Sequence, residues 1–171
     1  MPEPLGRAWI GKQMTRGAWY YSAEEDVGYC GALRIHATIV TRDPVFGEFA
    51  YGGVLTRRGD AVSVIPRDGL RVRFHVVRGE QRLQMELDHD GFASEQPVVV
   101  GDALERIEFV LENRSGGAHE TTLSLSGLPA GDYAVTVAGK PAGSVQGGAE
   151  RRLVALPVPA GPSAAVTIRR R

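Results

Sequence analysis

Three acids, Glu24, Glu25 and Asp26, follow closely on the aromatic run Trp19-Tyr20-Tyr21. Sugar rings present flat C–H faces that stack on aromatic side chains, and their hydroxyls suit carboxylate and arginine partners. Trp19, Tyr20, Tyr21, Glu24 and Asp26 therefore make a candidate sugar-binding edge. The alternative is that these rings seal the end of the fold or pack on a partner. As a catalytic pair the acids fall short. Glycoside hydrolysis needs two carboxylates about 5–9 Å apart across a cleft, and neighbouring acids in one short loop do not supply that.

A second concentration of chemistry lies in VIPRDGLRVRFHVV, from Val64 to Val77, where Arg67, Arg71, Arg73 and His75 fall within nine residues. Pro66-Arg67-Asp68-Gly69 has the chemistry of a tight turn. The expected arrangement is a hairpin of Ala61–Ile65 and Leu70–Val77, with Leu70, Val72, Phe74 and Val76 on one face and Arg71, Arg73 and His75 on the other. The leading reading is structural pairing with Glu86 and Asp88 on the next strand. The runner-up is a contact with another domain through Arg67, Asp68, Arg71, Arg73 and His75, since guanidinium forks grip carboxylates bidentately.

The remaining candidates read as structure. The histidines at 36, 75, 89 and 119 show no metal-ligand spacing, and Asp88-His89-Asp90 reads as a solvated strand end. Tyr51-Gly52-Gly53 opens no helix and so is no phosphate cradle; it reads as a bulge or close-packing point. Cys30, the single cysteine, has no activating histidine nearby in sequence and can form no disulfide within the chain. No serine sits in a nucleophile-elbow pattern. Asn113-Arg114-Ser115 matches a glycosylation acceptor by pattern only. No cofactor or metal is expected.

The elements that must position these residues are strands. Alternation at Ile35–Val40, Leu83–Asp88, Ile107–Glu112, Leu123–Leu125, Tyr133–Val137 and Val166–Ile168 puts one face of each inside. Turn residues separate them at short spacing, drawn from 22 glycines and 10 prolines. A piece near Ser22–Asp26 is the best helical candidate. The expected fold is all-β, an antiparallel sandwich of roughly ten short strands with little or no helix. The 171 residues suit one domain. A soft seam near 96–102 divides an aromatic, arginine-rich half from an Ala/Gly/Val-rich half whose hairpin, Asp132–Val145, turns at Gly139-Lys140. Zero net charge removes the simplest case for nucleic acid or an anionic membrane as partner. No secretory pattern opens the sequence, which as written reads as cytoplasmic. A secreted or periplasmic location follows if the chain is a fragment or trimmed.

Asp43-Pro44-Val45-Phe46-Gly47-Glu48-Phe49-Ala50-Tyr51-Gly52-Gly53, continuing to Val62–Arg73, resembles the late part of a family of long, uncharacterised bacterial and fungal proteins that look carbohydrate-active. The resemblance covers roughly Tyr20 to Gly117 and rests on a Gly-rich lead-in, then "V-x-P-R-D" and an arginine-bearing strand. It implies a β-rich section closing a protein that also holds a β-sandwich and a catalytic (α/α)6 barrel. This chain has no segment for the barrel, and no catalytic residue carries over. The resemblance implies that the barrel is a partner and that the PRD hairpin lies near the junction. The leading expectation is a non-catalytic β-sandwich module accessory to a polysaccharide-active enzyme. The alternatives are a stand-alone carbohydrate-binding module and a small glycan-active enzyme using Glu24 or Asp26.

Overall fold

The structure, a computed structural model, describes residues 37–171 except Phe46. The candidate sugar edge (Trp19, Tyr20, Tyr21, Glu24, Asp26), Cys30 and the helical candidate at 22–26 lie outside the described residues. Within them every regular element is a strand. The first eight are β1 (Thr38–Asp43), β2 (Gly47–Tyr51), β3 (Gly53–Arg58), β4 (Ala61–Pro66), β5 (Arg73–Arg78), β6 (Gln81–Leu87), β7 (Gly91–Phe92) and β8 (Val98–Gly101). The others are β9 (Arg106–Glu112), β10 (His119–Ser126), β11 (Leu128–Val137), β12 (Lys140–Gly148), β13 (Arg152–Val158) and β14 (Ser163–Arg170).

They form two sheets packed as a sandwich. One has the order β13-β10-β6-β5-β1-β2. The other has the order β12-β11-β14-β9-β8-β4-β3, with β7 added against β9. Pairing is antiparallel throughout except between β1 and β5, which run parallel. Both sheets pass through 96–102 without a break, since β6 pairs β10 in one and β8 pairs β9 in the other. The fourteen strands exceed the roughly ten that alternation and turn spacing suggest. The surplus comes from short pieces such as β7 and β8, and from the division of the stretch around Tyr51-Gly52-Gly53 into two strands in different sheets.

The interior follows the alternation. Phe74, Val76, Leu83, Met85, Leu123 and Leu125 of the first sheet face Val62, Val64, Val100, Ile107, Phe109 and Leu111 of the second, all buried. Phe92 joins the two layers. Its ring lies 5.9 Å from Phe74 and 5.1 Å from Phe109, the latter edge-to-face. Such pairs contribute about 0.5–1.5 kcal/mol beyond the area they bury.

The expected Ala61–Val77 hairpin is corrected. β4 pairs β3 and β8 in one sheet, whereas β5 pairs β1 and β6 in the other. Pro66-Arg67-Asp68-Gly69 is thus a crossing between sheets. Gly52 is a second crossing, from β2 to β3, and the two are bonded together: Arg67 N–H and Asp68 N–H both donate to the Gly52 carbonyl, at 2.6 and 3.0 Å. The glycines are required there. Gly52 has φ +62°, and a Cβ on Gly53 would lie 2.9–3.0 Å from Thr38, Ile65 and Val64. The β11–β12 hairpin also shifts by one residue. Its turn is Ala138-Gly139, with φ of 50° and 75°, the two positive values of a type I′ turn. Within β11, the buried Tyr133 hydroxyl donates back to the Pro129 carbonyl near the strand's start at 3.1 Å, as tyrosine corners of Greek-key sandwiches do.

Candidate functional site

The PRD crossing organises one end of the sandwich. Asp68 is 3% exposed. Its Oδ1 lies 2.7 Å from the Thr38 hydroxyl of β1, which donates to it, and its Oδ2 accepts the Arg71 backbone N–H at 2.8 Å. That second bond bends the chain: Arg71 has φ 51°, a left-handed conformation that a non-glycine residue adopts only when its surroundings fix it. The bend takes Leu70, Arg71 and Val72 out of β5. Arg71 therefore does not share a strand face with Arg73 and His75, contrary to the alternation. Instead its Nε donates to the Phe92 carbonyl at 3.0 Å, and its Nη2 donates to Glu112 of β9. The Phe92 N–H returns a bond to the Arg71 carbonyl at 2.7 Å.

Arg73 and His75 remain on β5, on the outer face of the first sheet. Arg73 Nε donates to Glu86 at 2.9 Å, its direct cross-strand partner. This is one of the two pairings read from the sequence. The other does not form with this row. Asp88 instead accepts from the Thr121 hydroxyl and the Thr122 N–H, each at 2.7 Å. Burial pushes Asp88 up, but the bonds from Thr121, Thr122 and His89 outweigh it and hold the carboxyl far below the usual range. Arg67 faces Glu95 at 3.5 Å, both exposed. The three arginines of the motif each meet a carboxylate of this chain.

At the same end lies a line of three side chains from distant parts of the sequence. Asp90 is fully buried, not a solvated strand end. Its Oδ1 accepts the Arg114 N–H at 3.1 Å, and its Oδ2 lies 2.7 Å from Nε2 of His119. The other ring nitrogen, Nδ1, is 3.0 Å from the Ser115 hydroxyl and 3.1 Å from the Gly117 carbonyl oxygen. The residue types are those of a nucleophilic triad, but the Gly117 carbonyl competes with the Ser115 hydroxyl for Nδ1. A carboxylate and a carbonyl can only accept, so a proton on each ring nitrogen satisfies both. The Gly117 carbonyl first, and Asp90 second, raise His119 above the ordinary histidine value. When the ring carries a proton on both nitrogens, the form its raised value favours, Nδ1 has no lone pair with which to activate Ser115. Asn113 completes the clamp. Its Oδ1 accepts from the N–H groups of Ser115 and Gly116 at 3.0 and 2.8 Å, and its Nδ2 donates to the Gly117 and Pro159 carbonyls. That engaged, buried amide is no glycosylation acceptor in the folded chain.

The opposite end is held by charge. Arg78, Glu48, Arg57 and Asp102 alternate in sign across both sheets. Arg57 Nη1 is 3.0 Å and Arg78 Nη1 3.5 Å from Asp102, Arg57 Nη2 is 3.5 Å from Glu48, and Arg78 Nε touches Glu48. Arg78 and Glu48 are each 10% exposed. Sequence reasoning missed this network and the Asp90–His119 line, because the partners lie on strands far apart in the chain.

Among the described residues no group of three His, Cys, Asp or Glu side chains converges as a metal site would. Compared with known protein families, curated proteins and solved structures, the chain matches none of them.

Proposed function

We propose that this chain is a non-catalytic β-sandwich module with a structural or accessory role beside a polysaccharide-active enzyme, working through its surfaces. One observation carries the reading: in the single Ser–His–Asp line among the described residues, the Gly117 carbonyl shares Nδ1 with the Ser115 hydroxyl, and that hydroxyl also meets the Asn113 and Gly117 oxygens. Of the arginines around it, Arg71 is engaged by Glu112 and Arg114 by the Leu70 carbonyl. The groups that chemistry would need are spent on holding loops to sheets.

The test is turnover. Purified protein is assayed against a panel of polysaccharides and against an activated ester. The expected result is a rate equal to buffer, unchanged in Ser115→Ala. Ester cleavage abolished by Ser115→Ala, or polysaccharide cleavage abolished by Glu24→Gln or Asp26→Asn, would overturn the reading.

A further inference from the structure

The two sheets end on four strands, β13 and β2 in one, β12 and β3 in the other. An edge strand offers its outer row of N–H and C=O groups to any other strand, and folded chains blunt it with charge, proline, bulges or shortness. Three of the four are blunted. β2 is five residues long and carries Glu48, tied to Arg78. β3 ends in Arg57 and Arg58. β12 slips register against β11 and contains Gly143, Gly147 and Gly148. β13 differs. From Leu153 to Val158 it reads LVALPV, without a charge, and it pairs β10 over seven positions with no shift. Val154, Leu156 and Val158 are buried in the core, whereas Leu153 on the outer face is 68% exposed, with Ala155 and Pro157 exposed beside it.

A bond on the far side of β10 shows which groups of β13 face the open edge. Asp88 N–H donates to the Thr122 carbonyl at 3.2 Å, so Thr122 turns its backbone groups toward β6. In an antiparallel ladder this direction alternates from residue to residue. Thr121 and Leu123 therefore face β13, opposite Leu156 and Val154. The alternate residues of β13, Leu153, Ala155 and Pro157, aim their backbone groups at the open edge. Proline fits at 157 because no ladder bond to β10 is lost there. We propose that the occupant of this edge is a second copy of the chain, paired antiparallel through β13 about a two-fold axis at Val154. In that register Leu153 N–H meets the Ala155 carbonyl of the second copy, and Ala155 N–H meets its Leu153 carbonyl. Symmetry repeats both bonds, so the same row of groups serves as both halves of the contact. An axis one residue further on, at Ala155, would set Leu153 opposite Pro157 and leave the Leu153 carbonyl without a donor. On the outer face each Leu153 side chain lies beside the small Ala155 of the second copy, which covers the most exposed leucine of the described residues. The pairing makes one continuous sheet of the two β13-bearing sheets and closes at two copies. The inference is independent of the proposed function, which concerns what the chain does not catalyse.

Sedimentation velocity of the purified full chain over a range of concentrations tests the proposal. The contact is small, so a reversible monomer–dimer equilibrium is expected. Leu153→Lys sets a charge on the edge at an exposed position, and Ala155→Pro removes a donor that β10 does not use. Each is expected to raise the dissociation constant by about tenfold or more, with a cooperative circular-dichroism melt retained. Val54→Lys, at an exposed position of the edge strand β3, is expected to leave the equilibrium unchanged. Four outcomes overturn the proposal: a monomer at every concentration, association unmoved by both β13 variants, association lost with Val54→Lys instead, or open-ended aggregation with no dimer limit.

Discussion

The two ends of this sandwich solve the same problem, tying one sheet to the other, with different chemistry. At the Asp68 end a carboxylate 3% exposed is met by neutral donors, the Thr38 hydroxyl and the Arg71 N–H, placed by two bonded crossings. At the Glu48 end four charges alternate, and Arg78 Nε and Nη2 and Glu48 Oε2 are buried without an aligned hydrogen bond. The first arrangement is directional and fixes backbone conformation, including the positive φ of Arg71. The second is held by Coulomb attraction that must offset the desolvation of two nearly buried ions. Hydrogen bonds at the first end specify the path of the chain; charges at the second end only require that opposite signs be near.

The largest effect expected from breaking this contrast is at Asp68. In Asp68→Ala the Arg71 N–H loses its acceptor and the bend loses its brace, while the Thr38 hydroxyl keeps the Gly52 carbonyl at 2.9 Å. An unsatisfied buried donor costs about 1–3 kcal/mol, and with the brace gone a loss of about 3 kcal/mol is expected in the urea-unfolding free energy. The opposite end should behave otherwise. Arg78→Met alone leaves Glu48 nearly buried with only the more distant Arg57 and is expected to cost about 2 kcal/mol. Replacing both partners, Glu48→Leu with Arg78→Met, is expected to recover that loss, because buried ion pairs are often no better than packed apolar residues. Failure of the double variant to recover would show that the charges set geometry as the hydrogen bonds do.

The histidines sharpen the comparison through pH. His119, raised by Gly117 and Asp90, adds stability that is fully present below the unfolded value of about 6.5 and lost as pH rises through its folded value. His75, lowered chiefly by burial, acts with the opposite sign: stability is present above about 6.5 and falls as pH drops through its folded value. Melting temperatures of His119→Gln and His75→Gln between pH 5 and 8 should each remove one of these opposed slopes. The smallest effect belongs to Arg73→Ala. Its pair with Glu86 is well over a third exposed and is expected to change stability by less than about 1 kcal/mol, less still in high salt.

The clean alternations, in β6, β9, β11 and β14, were legible because each buries one face and the period records it. The crossing at Pro66–Gly69 was legible as a turn but not as a change of sheet: a turn between apolar runs reads the same whether the strands pair or part. Arg71 was hidden for a related reason. The alternation of Arg73–Val77 runs back unbroken through Leu70, and only the bond to Asp68 reverses its backbone. Asp90 and His119 stand 29 positions apart and meet only because β10 turns back beside β6. Nothing local in Asp88-His89-Asp90 separates the exposed first acid from the buried second.

β14 lies between β9 and β11, bonded to both. While the polypeptide is being synthesised, those two strands emerge first and leave a vacant slot between them, lined by two unsatisfied edges. Until residues 163–170 leave the ribosome, β9 and β11 each carry an edge with no strand to pair it, the kind of edge that invites association. A chain halted before Ser163 keeps both of those edges open.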